Sequence, residues 1–229
     1  MNFTEKYKIK MKYNQFGLHV EENFQDQTEN ILIEKFEEYV NNLKEKNKNK
    51  YNMIELGSNF AYYSMLFKKI LLPNETFNIM VEPYEKFMSS GKEHFEINNF
   101  DGVFLNNRIK SNFPWCNINF ECDEVKVDDL LKNYKIKDLD VLHMDIDYSE
   151  LSALESAHES LSKKMIDTLF ILTHDRPPGI ENFEIVPIED ANSMHQMCKQ
   201  KLLNYDYECI FEQTERNIGA DALLIFKKK

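Results

Sequence analysis

The chain has 229 residues, is 42% hydrophobic and carries a formal net charge of -11. That length buries one sizeable core and favours a single domain over residues 1–229, with an N-terminal cap at 1–50 and the main body at 51–229. The acidic balance argues against a general nucleic-acid or anionic-membrane surface, since both need a dense positive field.

No stretch approaches the roughly 20 apolar residues of a membrane span, and Met1 to Lys6 lacks an apolar signal core. The expected compartment is the cytoplasm, with neither nucleic acid nor membrane as partner. Tyr7 to Tyr13 alternates polar and apolar residues as a short strand does. Gln27 to Lys46 carries helical apolar spacing at Ile31, Ile33, Phe36, Val40 and Leu43. The lysine-rich run from Lys44 to Lys50 reads as a solvated helix end leading into a loop.

The most informative segment follows. Asn52-Met53-Ile54-Glu55-Leu56 is an apolar strand ending in Gly57, and a helix starts within the next few residues. Glycine there permits a tight turn and a close backbone approach to a ligand, with the N–H groups of the helix start nearby. A second strand, 77–82, ends in Glu82-Pro83, which places a second carboxylate beside that turn. An acid at this point commonly grips ribose hydroxyls. A dinucleotide site needs further glycines, one of them at the position of Asn59, to admit a pyrophosphate, and they are missing. Gly57, Ser58 and Asn59 are therefore the predicted turn of a nucleoside-type ligand without a pyrophosphate.

Strands are predicted near 103–107, 140–145 and 168–173, with helices between, which means a parallel sheet covered on both faces. Two last apolar strands, 207–213 and 221–226, are joined by a turn at 214–220. Cys116, Cys122, Cys198 and Cys209 lack Cys-x-x-Cys spacing, so free thiols are expected.

In an open parallel sheet, ligands bind at the carboxyl ends of the strands. Those ends offer Asp145 and the triplet Thr173-His174-Asp175. Neighbouring strands lie about 4.8 Å apart, so Asp145, His174 and Asp175 can converge on one atom or ion. Three readings stay open: the three bind a divalent metal, His174 acts as a general base, or His174 and Asp175 only form a turn with Asp175 paired to Arg176. His143 has a weaker claim, and Asp147 is a further carboxylate for an acceptor. His195, in a helix predicted from about Glu189, reads as packing, as do Tyr62 and Tyr63 and the loop residue Trp115.

These motifs together resemble class I S-adenosylmethionine-dependent methyltransferases, and in particular the FkbM-type family, over most of the chain after residue 50. The first motif is carried by Glu55, Gly57, Asn59, Tyr62, Tyr63 and Ser64, with Ala61 in place of a second glycine, and the second motif by Val81-Glu82-Pro83. Val127-Asp128-Asp129-Leu130-Leu131 and His143-Met144-Asp145-Ile146-Asp147-Tyr148-Ser149-Glu150 are similar to two later blocks. There His143 replaces lysine, and Ser149 stands near the usual glycine. The resemblance implies a Rossmann-like, seven-stranded, mostly parallel α/β sheet with an antiparallel C-terminal hairpin. It also implies S-adenosylmethionine bound by Glu55, Gly57, Ser58, Asn59, Ser64, Glu82, Pro83, Asn107 and Asp145, with Asn107 or Arg108 near the adenine. The layout after strands four and five is similar to that of magnesium-dependent O-methyltransferases, with histidine as the first member of the usual acidic pair. The implied reaction is O-methylation of a small polar or glycan acceptor, most readily a sugar hydroxyl, with a divalent metal under the metal reading and a homodimer as a possible association. The alternatives are a natural-product hydroxyl as acceptor, a noncatalytic S-adenosylmethionine-binding or partner-binding module, and a dinucleotide-dependent enzyme.

Overall fold

The computed structural model describes residues 6–11, 27–110, 122–174, 187–214 and 221–229. Seven strands form one mostly parallel sheet flanked by helices and finished by antiparallel C-terminal strands, as expected, and two further strands form a separate ribbon. The chain divides into two compact units, 1–106 and 107–229.

In the first unit, helix α1 (Gln27–Leu43) buries Leu32, Ile33, Phe36, Val40 and Leu43. Leu32 takes the place predicted for Ile31, because residues four apart (32, 36, 40) stack on one face of a 3.6-residue period. Then come β1 (Lys50–Leu56), α2 (Tyr62–Leu71), β2 (Glu75–Val81), α3 (Glu85–Ile97) and β3 (Val103–Leu105). Strand β2 lies between β1 and β3, parallel to both. From Met53 to Leu56 every residue of β1 is buried, which is why the strand reads as an apolar run and not an alternation. Each fully buried large apolar side chain here stabilises the fold by about 1.5–3 kcal/mol. Tyr51 is buried too, and its hydroxyl donates to the Leu43 carbonyl at 3.0 Å, tying the end of α1 to β1.

The register sets the site. Leu56 pairs with Val81 and Val81 with Leu105, so β1, β2 and β3 end level and release their following residues at one sheet edge. Strand β3 stops at Leu105, short of the predicted 107, because Asn107 begins a different pairing. At the N-terminus, residues 6–8 form a helical turn where a strand was expected. Lys6 and Tyr7 both bind the Glu37 carboxylate on α1, a tertiary contact that local alternation cannot reveal.

The second unit opens with the ribbon, in which β4 (Asn107–Ile109) runs parallel to β5 (Asp123–Val125). Helix α4 (Val127–Asn133) leads to β6 (Leu139–Met144), α5 (Glu150–Ser156), α6 (His158–Ser162) and β7 (Ile166–His174). Helix α7 (Met194–Asn204), β8 (Tyr207–Gln213) and β9 (Asp221–Lys228) complete it. Within this unit the strand order is β6-β7-β9-β8. The antiparallel β9 lies between β7 and β8, and β8 carries a bulge between Cys209 and Phe211. Every residue of β6 and β7 is buried. Helix α7 starts at Met194, five residues after the predicted Glu189, because the Ser193 hydroxyl caps it by accepting from the Gln196 N–H at 3.1 Å. Asp128 acts likewise for α6, accepting from the N–H groups of Glu159 (2.8 Å) and Ser160 (2.9 Å).

Among the described residues, Cys122, Cys198 and Cys209 are free thiols, and no helix is long and apolar enough to cross a membrane. Asp175 and Trp115 lie outside the described residues.

Candidate functional site

The turn after β1 is built from left-handed residues. Gly57 has φ 72°, Asn59 45° and Ala61 59°. Glycine adopts this at no steric cost, asparagine at a modest one, while alanine is strained by roughly 1–2 kcal/mol. The N–H groups of Gly57 and Ser58 both donate to the Val81 carbonyl, at 2.9 and 3.1 Å, so they pin the turn to β2. The next N–H, that of Asn59, donates to Glu82 Oε2 at 2.8 Å, and the Tyr84 N–H donates to Glu82 Oε1 at 2.9 Å. Glu82 is only 4% exposed. Asn106 closes the frame, donating through Nδ2 to the carbonyls of Glu82 (3.0 Å) and Pro83 (2.9 Å).

Glu55 Oε2 accepts from the Ser64 N–H at 3.0 Å, serving the first turn of α2, whose N-cap Ala61 has no side-chain acceptor to offer. The Ser58 and Ser64 hydroxyls are buried without a hydrogen-bond partner. Two contributors escaped the sequence reading: Asn106, and Gly91 on α3. A Cβ on Gly91 would stand 3.3 Å from the Asn59 carbonyl oxygen and 3.3 Å from Ala61 Cβ, so a glycine lets α3 approach the turn. Its only signal in the sequence is a glycine inside a helical pattern. Asn107 donates through Nδ2 to the Asp123 carbonyl at 3.1 Å, and Arg108 pairs with Glu124 at 2.9 Å. Both residues hold the β4–β5 ribbon together.

In the second unit, His174 ends β7 and meets three carboxylates. Its Nδ1 lies 2.6 Å from Glu150 Oε1, and its Nε2 lies 3.2 Å from Asp145 Oδ1 and 3.9 Å from Asp147 Oδ1. The side chain of Glu150 is 0% exposed, that of His174 10%, Asp145 39% and Asp147 69%, so the cluster grades from core to surface. Burial pulls the His174 pKa down, but the Glu150 charge and hydrogen bonds to Asp145 and Glu150 outweigh it, and the ring is held protonated well above the ordinary histidine value. Burial pushes the Glu150 carboxyl up, with His174 pulling it back. For Asp145 burial also pushes upward, but the hydrogen bond and charge of His174 prevail and hold it below the usual carboxylate range.

An ionised carboxylate only accepts, so a protonated His174 ring between Glu150 and Asp145 donates at both nitrogens, while Asp175, the third member of the metal reading, lies outside the described residues. Among the described residues no group of three or more His, Cys, Asp or Glu is arranged to hold a metal ion. Glu150, which the sequence does not single out from its motif, is the closest partner of His174. The glycine departure also shifts by one residue: Asp147 (φ 44°) and Tyr148 (φ 72°) are the left-handed pair of this turn, not Ser149.

His143 on β6 is 1% exposed, and burial, opposed by the Asp145 charge, lowers its pKa to about 4. A histidine depressed in the folded state favours folding fully above its unfolded value near 6.5, and that contribution is lost as pH falls toward about 4. Acidification from about pH 7.5 to 5 is expected to remove about 2 kcal/mol of unfolding free energy through this group. Urea titrations of wild type and His143→Leu at both pH values would check this, since the variant should lose that much less. His195 is fully buried, with Nδ1 3.0 Å from Thr173 Oγ1 and Nε2 3.0 Å from Glu212 Oε1, and ties α7 to β7 and β8.

The family model of the methyltransferase FkbM domain matches residues 14–209. No curated protein matches the sequence. Among solved structures, methyltransferase FkbM from Methylobacillus flagellatus KT is similar at 19% identity and TM-score 0.52, over 78% of this chain and 44% of that one. The METTL16 methyltransferase domain is similar at 12% identity and TM-score 0.58, over 99% of this chain and 76% of that one. TrmK of M. capricolum, solved with S-adenosylhomocysteine, is similar at 11% identity and TM-score 0.50, over 84% of this chain and 67% of that one. This chain thus spans less than half of the FkbM protein from M. flagellatus.

Proposed function

Because the chain belongs to the FkbM methyltransferase family, we propose that it transfers a methyl group from S-adenosylmethionine to a hydroxyl oxygen of a small polar acceptor, a sugar, nucleotide sugar or glycan. The observation that carries this reading is Glu82, a buried carboxylate fixed by the backbone N–H groups of Asn59 and Tyr84 against the Gly57 turn, where an acid suits a ribose diol. The orphaned, buried Ser58 hydroxyl in the same turn also fits a polar ligand. Gly57, Ser58 and Asn59 would form the turn against the cofactor, and Glu82 would hold its hydroxyls. When bound, S-adenosylmethionine supplies an electrophilic methyl carbon on a sulfonium.

With it bound, a carboxylate of this chain would take the acceptor's hydroxyl proton, freeing the oxygen's electron pair for the methyl carbon that the sulfonium would give up. Asp145 suits the proton's destination, being ionised and 39% exposed. Asp145 and Asp147 both present oxygens able to accept from hydroxyls, which supports a polyhydroxyl acceptor. Calorimetry is expected to register S-adenosylhomocysteine binding, and labelled S-adenosylmethionine is expected to yield a methyl ether with hydroxyl-bearing acceptors. Label reaching an amine and no hydroxyl would overturn the oxygen assignment, and absence of S-adenosylhomocysteine binding would overturn the cofactor.

A further inference from the structure

Glu150 is the most deeply placed member of the His174 cluster and does not touch the exposed carboxylates through its own contacts with the ring. Its Oε1 takes the Nδ1 side of His174 at 2.6 Å, while Asp145 takes the Nε2 side at 3.2 Å. We propose that Glu150 is a positioning residue for proton removal: it holds His174 as a donor at both ring nitrogens, and this assigns the acceptor's proton to Asp145. The inference rests on the methyl-transfer reading above.

Three features of the fold support it. Glu150 opens α5 and is 0% exposed, so its ionised form is tolerated only beside a cation or a donor, and His174 is that partner. A carboxylate behind one ring nitrogen fixes both the orientation of the imidazole and what the other nitrogen carries. The Nε2–H then points at the partly exposed Asp145, which a neighbouring cation keeps ionised and ready to accept a proton.

The groups around the ring come from every element against it. The loop after β6 gives Asp145 and Asp147, and α5 gives Glu150. The His195–Glu212 pair faces the neighbouring Thr173. Strand β6 contributes His143, which is coupled to Asp145. Of these, Glu150 alone is both wholly enclosed and within 2.6 Å of the ring.

The test is a nitrogen-detected NMR titration of the histidine rings between about pH 5 and 9, on the full chain without ligand, for wild type and Glu150→Gln. In wild type His174 is expected to carry both ring protons at neutral pH, and in the variant its midpoint should fall by roughly one pH unit or more. In turnover, the rise of kcat at low pH should move to higher pH in Glu150→Gln, because a neutral ring no longer helps to hold Asp145 ionised, with KM for the acceptor little changed. A wild-type His174 that titrates near its ordinary value of about 6.5 would overturn the proposal. So would a folded Glu150→Gln in which the midpoint is unmoved. The wild-type titration decides the matter even if the variant fails to fold, and it needs no acceptor, so it separates this proposal from the methyl-transfer reading.

Discussion

Glu82→Ala is expected to weaken S-adenosylhomocysteine binding at least about a hundredfold, equivalent to about 2.7 kcal/mol, and to lower thermal stability. Two effects combine. The methyl side chain offers no acceptor for the ribose hydroxyls, and it strands the Asn59 and Tyr84 N–H groups that Glu82 now receives at 2.8 and 2.9 Å. Both bonds are part-buried and each is worth about 0.5–1.5 kcal/mol, so the turn loosens as the ligand contact disappears. Asn106→Ala separates the two effects. It removes the brace on the carbonyls of Glu82 and Pro83 but leaves the carboxylate, so stability should fall while affinity drops far less. Calorimetry on both variants, beside their melting temperatures, reads this out. A folded Glu82→Ala that binds S-adenosylhomocysteine as wild type does would remove Glu82 from the site.

Asp145→Asn is expected to lower kcat by about 10²–10⁴, the range of a lost proton acceptor, while leaving S-adenosylhomocysteine affinity within a few-fold of wild type. The amide keeps the size of the side chain and can still accept from the His174 Nε2–H through its oxygen, but it cannot take a proton at neutral pH. If Asp145 served mainly to hold the cofactor, as the motif resemblance implied alongside its catalytic role, affinity would fall with turnover. Single-turnover rates together with calorimetry distinguish the two outcomes, and full activity in Asp145→Asn would exclude it as the acceptor of the proton.

The sequence by itself determined the family, the sheet and the turn that faces its edge. These are local matters: Met53 to Leu56 of β1 and the whole of β7 are unbroken buried runs, Gly57 stands where a left-handed residue is needed, and Glu82 directly follows the last residue of β2. The parallel pairing of successive strands, Leu56 with Val81, then brings the acid to the turn. The tertiary structure alone decided the rest. Strand three stops at Leu105 because Asn107 to Ile109 pair with Asp123 to Val125, a partner that no local pattern names. Residues 6–8 turn helically because Glu37 holds Lys6 and Tyr7. His143 and His174 are the same residue type at the ends of two neighbouring strands, yet one is held neutral and the other charged. The first is depressed chiefly by burial, with only the Asp145 charge opposing it. The second meets Glu150, from a helix 24 residues earlier in the chain, and that buried charge reverses the effect of burial. Protonation depends on what surrounds a ring in space, and packing across the sheet, not spacing along the chain, sets those surroundings.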